Sequence, residues 1–376
     1  MKTTAEFMKG FEKHFEDVND PRETNKITYP LIEILFLAVV SISGGAEDWE
    51  EIEEFGETHL EILREYLPFE SGTPSDDTIR RFFESLDHKE MNNVLIKTFG
   101  EKNEKITDIE RQYAIDGKTL CGSRFQDNKA FHFLNIYAVH SGFTLYGKII
   151  DEKKNEISAL PEAIESLELK GAIVTIDAMG CQKSIAKQII GKEGDYIFGL
   201  KLNHACFYYE IEKAFSTNAV NFFNMDSAET FDKGHGRQET RKCRVIRDIE
   251  KINGYKEWVG LKTIIEVKRS VVEKGKVTES INYYISSSSN GPESLLKSIR
   301  SHWGVESMHW IMDVVFGEDA SGIRSKNAPA NMAIIRRFVL NILNGIKDKR
   351  QSRPKLMKAI GWSPRHLRKF INSLIS

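Results

Sequence analysis

The sequence predicts an α/β protein, on three observations. The first hundred or so residues show helical periodicity and breakers but no strand-like run. From residue 112 to 201 apolar runs and turn signals give the order β-β-β-α-β-α-β. A stretch of about ninety residues rich in strand-like runs follows, and the chain then closes in basic helices. The expected architecture is a mixed five-stranded sheet with flanking helices, interrupted by a strand-rich insertion and preceded by a helical domain. The corresponding boundaries are 1–100 for the helical N-terminal domain, 108–203 and 290–350 for the core, 204–289 for the insertion and 351–376 for a basic tail.

In the N-terminal part, Asp20-Pro21-Arg22 marks a turn. Residues 29–43 read as a buried helix stopped by Gly44-Gly45. An acidic helix follows over residues 48–66. Pro68 and the SGTPS cluster break it, and Ser75 or Asp76 caps a third helix, DDTIRRFFESL. Two readings fit these helices: a helix-turn-helix presenting Thr78, Arg80 and Arg81 to a major groove, or a plain helical packing domain.

QYAIDGKTL, FHFLNIYAVH and FTLYGKIID read as a meander, the last two joined at Ser141-Gly142. A helix at 158–167 precedes the apolar strand AIVTIDAM. A helix at 182–190 then leads to the strand DYIFGLK. Asp116 and Asp177 close the first and fourth of these strands. A lone Asp at a strand end is most often a turn former or helix cap. Two change the reading: if their strands are neighbours and parallel, as a right-handed crossover allows, both carboxylates emerge at one edge of the sheet.

Within the insertion, GHGRQETRKCRVIR gathers His235, Arg237, Arg241, Lys242, Arg244 and Arg247. This is either a phosphate-contacting segment or a solvated hairpin. His235 and Cys243 have no metal-ligand spacing. Pro292 starts the next helix, and on it His302, Glu306, His309 and Asp313 fall at i, i+4, i+7 and i+11, one polar stripe. Val305, Met308, Met312 and Val315 form an apolar stripe, with Trp303 and Trp310 on a third line. After Asp319, Ile334, Ile335, Val339, Leu340 and Leu343 supply a core face, leaving Arg336, Arg337, Lys347, Lys349, Arg350, Lys355 and Arg368 exposed or facing a partner.

The net charge of −2 over 376 residues hides a strong segregation. Residues 46–70 carry ten acids against Arg64, whereas residues 321–376 carry thirteen Lys or Arg against Asp348. The basic tail reads as a footprint for a polyanion or as a solvated basic helix. Four cysteines without a C-x-x-C pair indicate neither a zinc ribbon nor a disulfide framework. The longest apolar run, 31–42, is too short for a bilayer, and the N-terminus lacks a signal-peptide core, so no membrane partner and a cytoplasmic location are expected.

Asp116, Asp177 and Glu306, drawn from distant parts of the chain, form a set of three acids. Mg²⁺ takes oxygen ligands and is commonly held by carboxylates and substrate phosphates. Two such ions, about 4 Å apart, stabilise both the attacking and the leaving oxygen of an in-line phosphodiester displacement. Without metal the three acids would raise one another's pKa.

The two-aspartate, one-glutamate set, the strand order and the late insertion resemble the DDE transposases of bacterial insertion sequences. TPSDDTIRRF, AIDGKTLCGS, TIDAMGCQ, GHGRQETR and HWGVESMHWIMDVVFGED are similar to the H-repeat-associated (Rhs-element-linked) branch, from about Asp20 to Leu343. The resemblance implies an RNase H-like catalytic core, Asp116, Asp177 and Glu306 as catalytic metal ligands, and Mg²⁺ or Mn²⁺ as cofactor. In the wider group a Tyr, an Arg and a Lys flank the glutamate, where this chain has Ile299, His302 and Asp313. His302, Trp303, His309 and Trp310 are the expected substitutes at DNA, by imidazole contact to phosphate and indole stacking on an unstacked base. For the tryptophans, core packing is the alternative reading and the slightly favoured one. Further DNA contacts are expected from His235, Arg237, Arg241, Arg80, Arg81, Arg336 and Arg337. The expected activity is cleavage of DNA at element ends and joining of the 3′-OH to target DNA, on a homodimer. The rival expectations are a structure-specific nuclease without strand transfer, or a catalytically silent DNA-binding relative.

Overall fold

The computed structural model describes residues 3–104, 111–120, 130–150, 156–216, 222–234, 236–346 and 351–375. Of the residues named above, His235, Lys347, Asp348, Lys349 and Arg350 lie outside these, as does one of the four cysteines, Cys121.

The N-terminal part folds into α1 (Thr4–Glu12), α2 (Leu31–Gly44), α3 (Trp49–Leu63), α4 (Asp76–Ser85) and α5 (His88–Glu104). Gly45 ends α2 in the left-handed conformation at φ 107°, which glycine adopts without strain. Asp48 and Ser75 cap α3 and α4 through their side-chain oxygens. Residues 34–43 of α2 are buried on every face. The cause is its position among α3 and the later helices α11 (Ala328–Ile346), α12 (Arg353–Trp362) and α13 (Pro364–Ser373).

The core strands are β1 (Arg111–Thr119), β2 (His132–Ala138), β3 (Phe143–Ile150), β4 (Ala172–Ile176) and β5 (Asp195–Leu200), with α6 (Glu156–Glu165) and α7 (Lys183–Gly191) in the two crossovers. β1, β2 and β3 form an antiparallel meander, while β1 pairs β4, and β4 pairs β5, in parallel. AIVTI in β4 is buried at all five positions, as a central parallel strand covered on both faces must be. This is the mixed five-stranded sheet with flanking helices that the sequence predicted, in the order β3-β2-β1-β4-β5.

The sheet does not stop at five strands. After α8 (Ala205–Ala214) come β6 (Met225–Gly234), β7 (Arg237–Ile246), β8 (Thr263–Glu273) and β9 (Lys276–Ser286). β9 pairs antiparallel with β5, from Ile197↔Ser286 to Leu200↔Tyr283, so one nine-stranded sheet runs β3-β2-β1-β4-β5-β9-β8-β7-β6. The expected insertion is thus an extension of the core sheet, because β5 offered it an unpaired edge.

The expected single helix from Pro292 is also two, α9 (Pro292–His302) and α10 (Gly304–Val314), interrupted at Trp303. A Cβ at Gly304 would stand 2.9 Å from the Tyr137 ring, so glycine lets α10 approach β2. Val305, Met308 and Met312 are buried as expected. Along α11 the burial goes further than the sequence implied: Arg336 and Arg337 are 3% and 0% exposed. α11 lies between β3 and helices α2, α4 and α5, and so faces no solvent there. It joins the N-terminal helices and the sheet into one continuous apolar core.

Candidate active site

β1 and β4 run in parallel with Ile115 opposite Ile176, and the next residue of each is an aspartate. Asp116 and Asp177 therefore stand side by side on strands roughly 4.8 Å apart, but only Asp177 lies past its strand: β1 runs on to Thr119, and Asp116 is still paired with Asn135 of β2. Gly117 follows Asp116 because any side chain there would collide with His132 and Glu156. Asp177 also fills the ordinary role of a strand-end aspartate: its Oδ1 accepts from the backbone N–H of Met179 (3.0 Å) and Gly180 (3.2 Å).

Glu306 sits in the first turn of α10, where the helix dipole favours a carboxylate. It lines, with both aspartates, a cleft of ≈ 240 Å³ to which His302, Trp303 and Lys201 also contribute. Burial, then repulsion from Asp177, Glu156 and Glu306, pushes Asp116 up to about 7. Glu306 is raised by burial. Among the described residues no Lys or Arg pairs with any of the three acids; Asp116 has the Gly117 backbone N–H as a hydrogen-bond partner and His309 Nδ1 at 3.6 Å. An all-oxygen set of uncompensated carboxylates in an open cleft suits a hard divalent cation. As they stand, no three His, Cys, Asp or Glu side chains among the described residues converge closely enough to hold one.

Behind the cleft lies a buried ion network. Arg337 donates from Nε to Asn135 Oδ1 (2.7 Å) and from Nη1 to Glu318 Oε1 (2.7 Å), and its guanidinium lies 4.1 Å from the Phe133 ring centre. Lys118 donates to Glu318 Oε2 (2.9 Å) and pairs with Asp313. Against the cost of burial, Arg337 and Lys118 hold the Glu318 carboxyl far below the usual range. With Oδ1 facing Arg337, the Asn135 amide must present its NH₂ to His309 Nε2, 3.1 Å away. His309 then carries its proton on Nδ1, the nitrogen that faces Asp116. Burial, followed by Arg337 and Lys118, brings His309 down to about 3, so the ring is neutral at pH 7.

His302 is neutral too. Burial brings it down to about 4, and its Nδ1 lies 2.9 Å from Thr175 Oγ1. Gln112 braces the same point, donating to Thr175 Oγ1 (3.3 Å) and the Ser298 carbonyl (2.8 Å).

Several expectations change here. His309 is buried at 9% exposure and turned toward Asn135 and Asp116, so it contacts no DNA phosphate. Arg336 and Arg337 are not DNA contacts either: Arg336 donates to Glu47 O and Ser321 Oγ, and Arg337 is consumed by the network. Asp313 leaves the polar stripe for Lys118. Trp303 and Trp310 are 61% and 60% exposed, which removes the core-packing reading. Arg80 pairs with Asp77 and Glu84, and Arg81 with Asp77, inside their own helix. Arg237 and Arg241 meet at Glu239. The sequence reading missed Lys118, Asn135 and Glu318. Lys118 and Glu318 stand inside the quoted motifs; Asn135 gives no signal inside an apolar strand.

Two families match the chain: "DDE_Tnp_1-associated" over residues 12–98 and "Transposase DDE domain" over residues 108–342. Among relatives, "Putative transposase YncI" of Escherichia coli O157:H7 is 38% identical over 88% of this chain and 86% of its own length. "H repeat-associated putative transposase YhhI" of Escherichia coli K12 is 36% identical over 94% of this chain and 95% of its own. A piggyBac transposase synaptic complex with hairpin DNA aligns over 100% of this chain and 80% of its own, with a TM-score of 0.45 and 12% identity.

Proposed function

Since the chain belongs to the DDE transposase family, in its H-repeat-associated branch, we propose that it cleaves DNA at the ends of an insertion sequence and joins the freed 3′-OH to target DNA. The observation that carries this is the meeting of Asp116, Asp177 and Glu306 in one cleft with no paired Lys or Arg among the described residues. Those three would hold Mg²⁺ or Mn²⁺. Divalent ions, when bound, supply Lewis-acid stabilisation of the oxygens that attack and leave the phosphorus.

The chain's own groups do the rest. Asp116, with the neutral His309 Nδ1–H 3.6 Å away, lines the cleft and would ionise fully once a divalent ion binds. Asp177 spends Oδ1 on its turn and has Oδ2 left for a ligand. Glu306 closes the set from the helical side. His302, unable to take up a proton at neutral pH, offers imidazole where the wider group has a guanidinium. Trp303 and Trp310 present exposed indole faces to bases, and Arg237 and Arg241 contact phosphates. Two ends must be cut together, so a homodimer on DNA in the cytoplasm completes the reading.

The test compares wild type with Glu306→Gln on DNA carrying the element's terminal repeats, with Mg²⁺ or Mn²⁺. Cutting and joining by wild type, with binding but no cutting by the variant, is the expected result. Cutting without joining of a pre-cut end would reduce the protein to a nuclease; equal cutting by the variant would remove Glu306 from the chemistry.

A further inference from the structure

A second cleft, of ≈ 430 Å³, adjoins the carboxylate cleft and shares Asn282, Tyr284, Ile299 and Trp303 with it. Four arginines line it: Arg237 and Arg241 on β7, Arg269 on β8 and Arg300 on α9. Their partners are too few. Glu239 is shared by three of them, Arg237 (2.7 Å), Arg241 (2.6 Å) and Arg269. Asp232 is shared by Arg241 (3.1 Å) and Arg300 (2.8 Å). Among the described residues these four guanidiniums pair with two carboxylates, an excess of two positive charges.

The sheet register makes this arrangement costly. Arg241 stands directly opposite Arg269 in the β7–β8 ladder. Like charges so placed destabilise a sheet. Arg237 Nε is moreover enclosed without an acceptor. An excess of donors, a like-charged cross-strand pair and an unsatisfied guanidinium nitrogen all describe a site lacking an anion. Arginine forks match phosphate oxygens in geometry.

We infer that this cleft is a phosphodiester-binding site that takes two neighbouring phosphates of the DNA strand passing out of the carboxylate cleft across Trp303. The inference rests on the transposase reading and names the part of the substrate held beside the scissile bond. Arg269 and Arg300, from different elements, are the specific additions. They complete a site of which Arg237 and Arg241 are half.

The experiment measures DNA binding against salt concentration for wild type and for Arg269→Gln combined with Arg300→Gln. Each phosphate contact contributes roughly 0.9 to the slope of log affinity on log salt, so the double variant should be flatter by about 2. An unchanged slope in a double variant that melts like wild type would overturn the site. Because the variant removes ion pairs, a second measurement uses wild type alone: phenylglyoxal modification of Arg269 and Arg300, located by mass spectrometry. A single-stranded oligonucleotide should protect both. No protection overturns the inference, and equal protection by inorganic pyrophosphate at matched ionic strength reassigns the cleft to a free phosphate ligand. Wild type that binds DNA at no salt concentration overturns both this site and the transposase reading. Wild type that binds while the variant keeps its slope overturns this site alone.

Discussion

Two charged regions lie back to back at the end of β1, and they are built on opposite rules. In the cleft, Asp116, Asp177 and Glu306 face one another with no paired Lys or Arg among the described residues. A few residues away, Glu318, Lys118, Arg337 and Asp313 neutralise one another within the protein. Burial is deeper in the second region, yet the pKa of Asp116 rises whereas that of Glu318 falls. Desolvation opposes both carboxylates. The difference lies in what stands next to them, acids in one case and a guanidinium and an ammonium in the other. One region is complete within the chain; the other is left in want of positive charge.

Removing one member of the complete region should have the largest effect. Glu318→Ala strands Arg337 in the core and leaves Lys118 only Asp313 and Asp319, and urea denaturation should show a loss of about 3–5 kcal/mol. A variant as stable as wild type would break the contrast.

The opposite sign is expected in the cleft. The Asp116 carboxyl stands at about 7 in the fold against an ordinary 3.8, so the native state holds a proton that the unfolded chain has released between those values. Stability is therefore lost as pH rises through that window, up to roughly 4 kcal/mol. In metal-free protein Asp116→Asn should abolish cutting yet raise the melting temperature, more at pH 8 than at pH 5. Added Mn²⁺ should stabilise wild type and leave the variant unmoved. A melting temperature that falls equally at both pH values would refute the uncompensated cleft.

His302 sharpens the comparison from the acidic side. Its pKa is lowered from 6.5 to about 4, so below 6.5 the unfolded chain binds the proton more readily than the fold does. Stability should fall as pH drops through this range, with His302 accounting for roughly 2–3 kcal/mol by pH 4. Thermal melts of His302→Gln should show a shallower acid limb; an unchanged limb would mean that the imidazole is already protonated in the fold.

The smallest effect is expected far from both regions. Arg81, exposed and paired with Asp77 in α4, should tolerate Arg81→Gln with a change within about 0.5 kcal/mol and no loss of DNA affinity. A clear drop in affinity would favour the helix-turn-helix reading over the plain packing domain.

How far the sequence could be read follows from which interactions are local. AIVTI, YIFGL and the glycine stops of α2 announce their elements by period and punctuation, and the order of core strands follows from them. The adjacency of Asp116 and Asp177 was legible because crossover handedness leaves little choice of neighbour. The β5–β9 pairing was not legible: a free sheet edge is invisible in the chain that supplies it. Nor was the inward turn of His309 and Asp313. Helical spacing says which residues share a face, but their orientation depended on Asn135, Arg337 and Lys118, which come from other elements. Arg336 and Arg337 misled for the same reason, since arginine is ordinarily a surface residue unless a buried acid awaits it.

The ladder between β5 and β9 has a mechanical meaning. Because the outer four strands continue the core sheet, they form no lobe that swings on a flexible neck. Rotating them against the core would first unzip the pairs from Ile197↔Ser286 to Leu200↔Tyr283. β5 in turn is the immediate neighbour of β4, whose end carries Asp177. A strand of DNA that tugs on the arginine-bearing edge therefore loads a stiff beam with Asp177 near its midpoint, not a hinged arm.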